Sequence, residues 1–188
     1  TSVVINAVPA VYPVTGTGTY CASTGGDVTL SNSETGVNYQ LIRNGTNVGS
    51  PVGGTGTALD FGLQTTAGTY TVSATNGTCS STMSGSAVIT ITPVPNTTFT
   101  YSSYAYCATG TSPAATLSGS PTTGTFSASP AGLNFSNAAT GVINLAASTP
   151  GTYSVTYTVA ASGGCAVYTY TQPTSVVING LPQSTTVS

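Results

Sequence analysis

The string Thr1-Ser2-Val3-Val4-Ile5-Asn6 returns unchanged as Thr174-Ser175-Val176-Val177-Ile178-Asn179, 173 residues later. A copied string at a fixed offset marks a repeat architecture, in which one structural unit is used again. A shorter period lies inside the long one. Cys21 and Cys79 are 58 residues apart, and so are Cys107 and Cys165; each cysteine of the first pair stands 86 residues before its counterpart. The junctions agree, since Ile5-Asn6-Ala7-Val8-Pro9 matches Ile91-Thr92-Pro93-Val94-Pro95 after 86 residues and Ile178-Asn179-Gly180-Leu181-Pro182 after 173. The repeat is therefore a pair of alternating modules of about 86 and 87 residues. Residues 7–92 form module 1 and residues 93–180 form module 2. Residues 1–6 read as the last strand of a preceding module, and residues 181–188 as the start of a following one.

Charge excludes several kinds of partner. Arg43 is the sole basic residue, Asp27, Glu34 and Asp60 are the sole acids, and the net charge is -2. Nucleic-acid binding needs clustered Lys and Arg to neutralise phosphates, and polybasic membrane docking needs the same. Low charge alone would suit a disordered chain, but disordered chains lack β-branched and aromatic residues. This one is rich in Val, Ile and Thr and has 11 tyrosines, residue types that fit a pleated, half-buried surface. No apolar run approaches the roughly 18 residues of a membrane helix, so direct membrane insertion is not expected. No signal peptide is recognised at the start, so the chain reads as an internal piece of a mature protein.

Short β-branched runs broken by Gly, Asn, Ser and Pro read as strands. In module 1 they are residues 28–30, 39–42, 58–61, 69–74 and 87–91, with Asn44-Gly45 as a two-residue hairpin turn. In module 2 they are residues 115–117, 125–127, 141–145, 152–159 and 166–170. No segment shows a helical period. The fold class is therefore all-β, two tandem antiparallel β-sandwich modules. Modules this small bury little core, and four cysteines suit an oxidising compartment. Of the three connectivities that four cysteines allow, the repeat favours one disulfide per module, Cys21–Cys79 and Cys107–Cys165. A loop of 58 residues closed this way contributes roughly 3–4.5 kcal/mol in the chain-entropy model. The prolines of Pro93-Val94-Pro95 favour an extended, semi-rigid link.

Gly68-Thr69-Tyr70-Thr71-Val72 and Gly151-Thr152-Tyr153-Ser154-Val155 resemble the tyrosine corner of immunoglobulin-like domains, which implies structural roles for Tyr70 and Tyr153. Val72 and Val155 stand where an antibody domain has Cys, and Trp is absent, so the domains are not of antibody type. In module 2, Tyr106-Cys107, residues 124–133, Thr140-Gly141-Val142-Ile143-Asn144-Leu145 and residues 148–153 resemble a repeat of giant Bacteroidota surface proteins. That family includes gliding-motility-type adhesins and other type 9-secreted proteins. In module 1, Asp27-Val28-Thr29-Leu30 and Gly36-Val37-Asn38-Tyr39-Gln40-Leu41 carry a weaker form of it. The resemblance implies a secreted, cell-surface chain and leaves the ligand open.

Catalytic chemistry finds few candidates. With no His or Lys, general acid–base work would fall to three acids; Asp27 and Glu34 flank one strand but read as solvated turn residues. Gly49 to Gly56 lacks the Lys and helix of a phosphate-binding loop. No calcium-loop spacing of acids is present and no Cys-x-x-Cys occurs, so no metal or other cofactor is expected. Tyr101, Tyr104 and Tyr106 cluster before Cys107 and form a candidate contact surface, since Tyr is favoured at interfaces. Three functions compete. The first is a structural repeat of a filament, stalk or giant adhesin, whose partners are neighbouring identical modules in the same or adjacent chains. The second is an adhesin module that binds a surface glycan or protein through tyrosines. The third is a subunit of a pilus-like polymer joined by strand donation. None of them is an enzyme.

Overall fold

The computed structural model describes residues 7–119 and 123–182. The chain divides into two compact units, Thr1–Val94 with Gly163–Cys165, and Pro95–Ser162 with Ala166–Ser188. The strand expected from residues 1–6 lies outside the described residues, as do residues 183–188 of the expected following module.

The first unit is built from nine strands. They are β1 (Val14–Thr15), β2 (Gly18–Cys21), β3 (Gly26–Leu30), β4 (Asn38–Arg43), β5 (Thr46–Gly53), β6 (Leu59–Gln64), β7 (Gly68–Thr75), β8 (Ser80–Thr82) and β9 (Ala87–Thr92). One sheet has the order β1-β3-β6; the other has the order β2-β9-β7-β4-β5, with β8 continuing alongside β7. The alternation in the sequence decides which side chains face inward. On β7, Tyr70, Val72 and Ala74 are buried and the residues between them are not. On β3, Val28 and Leu30 are buried while Asp27 is exposed. Both sheets feed one core that also holds Tyr39, Leu41, Leu59, Met83 and Ile89. The β4–β5 hairpin closes on Asn44 and Gly45, both with positive φ (49° and 85°), as a type I′ turn requires.

The second unit repeats the plan with β10 (Phe99–Thr100), β11 (Ala105–Cys107), β12 (Thr116–Leu117), β13 (Thr125–Ser129), β14 (Phe135–Asn137), β15 (Val142–Ile143), β16 (Gly151–Val159), β17 (Tyr168–Thr171) and β18 (Val176–Asn179). Its main sheet runs β11-β18-β16-β13, with β17 alongside β16. The opposite layer consists of two separate pairs, β10–β12 and β14–β15. The core draws on Phe99, Tyr101, Phe126, Ile143, Leu145, Tyr153, Val155, Tyr157, Val176 and Ile178. Both units are β-sandwiches, and each expected run overlaps a strand.

The expectation of purely antiparallel sheets needs one correction. In each unit a short strand pairs in parallel with the last strand. β2 joins β9 with Cys21 opposite Thr92, and β11 joins β18 with Cys107 opposite Asn179. Parallel pairing is open to them because a whole sandwich of chain intervenes, long enough for the crossover that a parallel pair requires. Gly-Thr-Tyr-Cys and Ala-Tyr-Cys are too short for periodicity to reveal.

Candidate functional site

The cysteines sit at the ends of these strands, and the register explains their pairing. Cys21 closes β2 opposite Thr92. On the neighbouring strand, Ile89 lies opposite Gly68, the first residue of β7. Cys21 is therefore beyond the start of β7, whereas Cys79 follows its end at Thr75. The seven steps from Gly68 to Thr75 alone span about 23 Å. A disulfide needs Cα atoms within about 7 Å. The expected Cys21–Cys79 bond is excluded by this geometry. The same reasoning excludes Cys107–Cys165. Cys107 lies opposite Asn179, beyond the start of β16, and Cys165 follows the end of β16 at Val159.

Cys21 is instead bonded to Cys165, across a sequence separation of 144 residues. Cys165 is buried and belongs, with Gly163 and Gly164, to the first unit. Its Sγ lies 3.8 Å from the Thr92 carbonyl oxygen. Gly164 has φ +77°, and a Cβ there would sit 2.5 Å from the Thr19 carbonyl oxygen. A side chain at 164 would hold the turn away from β2, so glycine is what lets Cys165 reach Cys21.

Cys107 is an exposed thiol. Its Sγ is 3.7 Å from Thr109 Oγ1, and this hydrogen bond holds the thiol below its ordinary pKa. Cys79 occupies the turn between β7 and β8, half-buried, where its N–H donates to Asn76 Oδ1 at 2.8 Å.

The two corner tyrosines are buried at the starts of β7 and β16. The Tyr70 hydroxyl donates to the Thr66 carbonyl at 2.7 Å, and the Tyr153 hydroxyl donates to the Thr149 carbonyl at 2.8 Å. The candidate contact surface does not survive as a set. Tyr101 is 5 % exposed and its hydroxyl donates to the Gly141 carbonyl at 2.7 Å. Burial raises its pKa. Tyr104 and Tyr106 remain half-buried, and the Tyr106 hydroxyl is turned back to the Ser103 carbonyl at 2.6 Å. Tyr101 faces inward because it is two residues from Phe99 on the same side of an extended chain, and the two rings meet edge to face at 6.0 Å.

The acids have local work. Glu34 Oε2 accepts the Ala10 N–H at 2.8 Å, Asp60 Oδ1 accepts the Gly62 N–H at 2.7 Å, and Asp27 is exposed on β3. Among the described residues, no three His, Cys, Asp or Glu side chains are grouped to hold a metal ion. Among the same residues no helix is long and apolar enough to cross a membrane.

Comparison with models of protein families finds no match, and comparison with curated protein sequences finds none. Solved structures do align. The titin domains Z1Z2 in complex with telethonin match at 16% identity and a TM-score of 0.37, over 91% of this chain and 95% of that one. Drosophila N-cadherin EC1-4 matches at 16% identity and a TM-score of 0.46, over 90% of this chain and 48% of that one. A SusE-like surface polysaccharide-binding protein of Bacteroides thetaiotaomicron matches at 15% identity and a TM-score of 0.32, over 91% of this chain and 34% of that one. This chain thus spans about half or less of the cadherin and SusE-like chains. At these scores the alignments carry no weight for function.

Proposed function

We propose that this chain is a structural repeat segment of an extracellular filament, stalk or giant adhesin, giving reach and stiffness at a cell surface and carrying out no catalysis. The observation that carries the reading is the twofold use of one strand plan at an offset of 86 residues, down to the cysteine that ends each parallel strand, Cys21 opposite Thr92 and Cys107 opposite Asn179. A chain that copies its scaffold this closely, with different side chains in each copy, is under demand for the scaffold. The disulfide supports an oxidising, extracytoplasmic setting. The resemblance of module 2 to Bacteroidota surface repeats supports the same placement.

Strand donation between separate subunits fits less well. The second copy of the repeated string supplies β18, which already fills the slot between β11 and β16. A donated copy from residues 1–6 would meet an occupied position. The contact reading is weakened by the burial of Tyr101. Electrophoresis of the intact protein under denaturing, reducing conditions tests the proposal. A covalent array runs far above the 18.4 kDa of this segment; a band at that mass would replace the array with separate subunits.

A further inference from the structure

Cys107 and Cys21 hold the same position in their units. Each is the last residue of the short strand that pairs in parallel with the unit's final strand, and they are 86 residues apart. Cys165 and Cys79 are likewise counterparts, each in the turn after the long strand, β16 or β7, that carries the corner tyrosine. Cys21 is occupied: its partner is Cys165, a turn cysteine that comes from module 2 in sequence. The rule that this single bond offers is that a strand-end cysteine takes the turn cysteine of the module that follows in sequence. Cys107 obeys the first half of that rule and lies exposed at the end of β11.

We propose that Cys107 is a disulfide attachment site for the turn cysteine of a further module of this type, so that covalent staples link each module of the array to the next. The proposal rests on the array reading above. The occupied Cys21 is the observation that names the ligand, because it shows what a cysteine in this position binds. The hydrogen bond from Thr109 favours the thiolate, the form that attacks a disulfide. Exposure gives the attacking and incoming sulfurs room.

Joining two thiols releases two electrons and two protons, so an oxidant is required. A disulfide donor, such as an oxidised thiol–disulfide oxidoreductase, supplies that capacity. The Cys107 thiolate attacks one donor sulfur, the donor's S–S bond breaks, and its other sulfur leaves as a thiolate. The thiolate of the incoming turn cysteine then attacks Cys107 Sγ in the mixed disulfide. The donor's remaining sulfur leaves, and the donor ends as a dithiol. Two cysteines are oxidised and one disulfide is reduced.

The test maps disulfides in the intact protein. Free thiols are blocked with N-ethylmaleimide in denaturant without reductant, and the protein is digested with pepsin at low pH for mass spectrometry. The expected result is a Cys107 peptide joined to a cysteine peptide from outside the 188-residue segment. Recovery of Cys107 carrying maleimide, or joined to Cys79 or Cys165 of the same segment, overturns the proposal. The 188-residue chain gives a second measurement. Without a following module, its native thiol reaction with a chromogenic disulfide should show a fast phase that Cys107→Ser removes; a fast phase unchanged by the substitution overturns the proposal. Failure of the array reading is distinguishable, since it shows as an 18.4 kDa reduced band, whatever Cys107 carries.

Discussion

The two units share a strand plan and fill it differently. In the first, Tyr39 on β4 stands opposite Ala74 on β7, a large side chain against a small one. In the second, the corresponding strands set Phe126 opposite Tyr157, with ring centroids 4.6 Å apart. Phe99 then meets Phe126 at 4.9 Å and Tyr170 at 5.6 Å, edge to face in both cases. The first core buries two tyrosines, Tyr39 and Tyr70, among mostly aliphatic side chains, and its unit carries all four charged residues. The second builds an aromatic cluster in a unit with no formal side-chain charge. The three-stranded layer β1-β3-β6 is continuous in the first unit, and its counterpart is split into two pairs in the second. Cross-strand pairs are the unit of sheet stability, so filling can vary pair by pair while turns and alternation hold the plan.

The largest break in the comparison comes from the cysteines. Cys21→Ser opens a loop of 144 residues, which the chain-entropy model values at about 5 kcal/mol. Cys107→Ser in the isolated chain removes an exposed group and should change stability by less than about 0.5 kcal/mol. Urea titrations of the two variants check the contrast; equal losses would mean that the strand-end cysteines are not differently engaged. Next in size is Tyr157→Ala. Tyr157 is fully buried, and its hydroxyl accepts the Gly124 N–H at 2.8 Å. Truncation should cost about 3–5 kcal/mol. The first unit carries Ala74 at the counterpart position, with the larger Tyr39 opposite it. Adding Ala128→Tyr would not restore the second unit, because the partner of Tyr157 is residue 126.

The strand plan was largely legible in the sequence, and the disulfide was not. Tyr70-Thr71-Val72-Ser73-Ala74 alternates cleanly enough to show both the strand and its inner face. Asn44-Gly45 showed a hairpin because few residues tolerate positive φ at two successive positions. Equal 58-residue spacings made pairing within each module the simplest reading, but spacing along the chain says nothing of which end of a long strand a cysteine occupies. That depends on β2 and β11, whose four- and three-residue runs carry no period. Gly163-Gly164 was the available signal: two glycines beside a cysteine mark a place where backbone approaches closely. Tyr101 was misplaced because alternating tyrosines look alike from either face until the register is known.

Gln172 offers a gain in stability. It is 5 % exposed, and among the described residues neither Nε2 nor Oε1 has a hydrogen-bond partner. Its backbone N–H donates to the Val155 carbonyl at 3.0 Å; at the matching place in the first unit the Met83 N–H donates to the Val72 carbonyl at 2.8 Å. Burying an amide without partners costs about 1–3 kcal/mol, and Met fills a similar volume without that cost. Gln172→Met should therefore raise stability by about 1–2 kcal/mol, read as a higher urea midpoint at constant slope. A lower midpoint would show that the amide is satisfied in solution and that the two units differ here for a structural reason.

The smallest contrast lies in the corner tyrosines. Tyr70 makes one hydrogen bond, to the Thr66 carbonyl. Tyr153 donates to the Thr149 carbonyl and also shares a hydrogen bond of 2.7 Å with Thr149 Oγ1. The Thr149 hydroxyl in turn lies 3.4 Å from the Gly132 carbonyl oxygen, so the second corner is a small network where the first is a single bond. Tyr70→Phe should cost about 1 kcal/mol, and Tyr153→Phe about 0.5 kcal/mol more. Replacing Thr149 with Val removes the extra partner while keeping the carbonyl. In that background the cost of Tyr153→Phe should fall to that of Tyr70→Phe, and the double-mutant cycle isolates the difference. A coupling of zero between Tyr153 and Thr149 would make the two corners energetically alike, and the network would then be geometry without added stability.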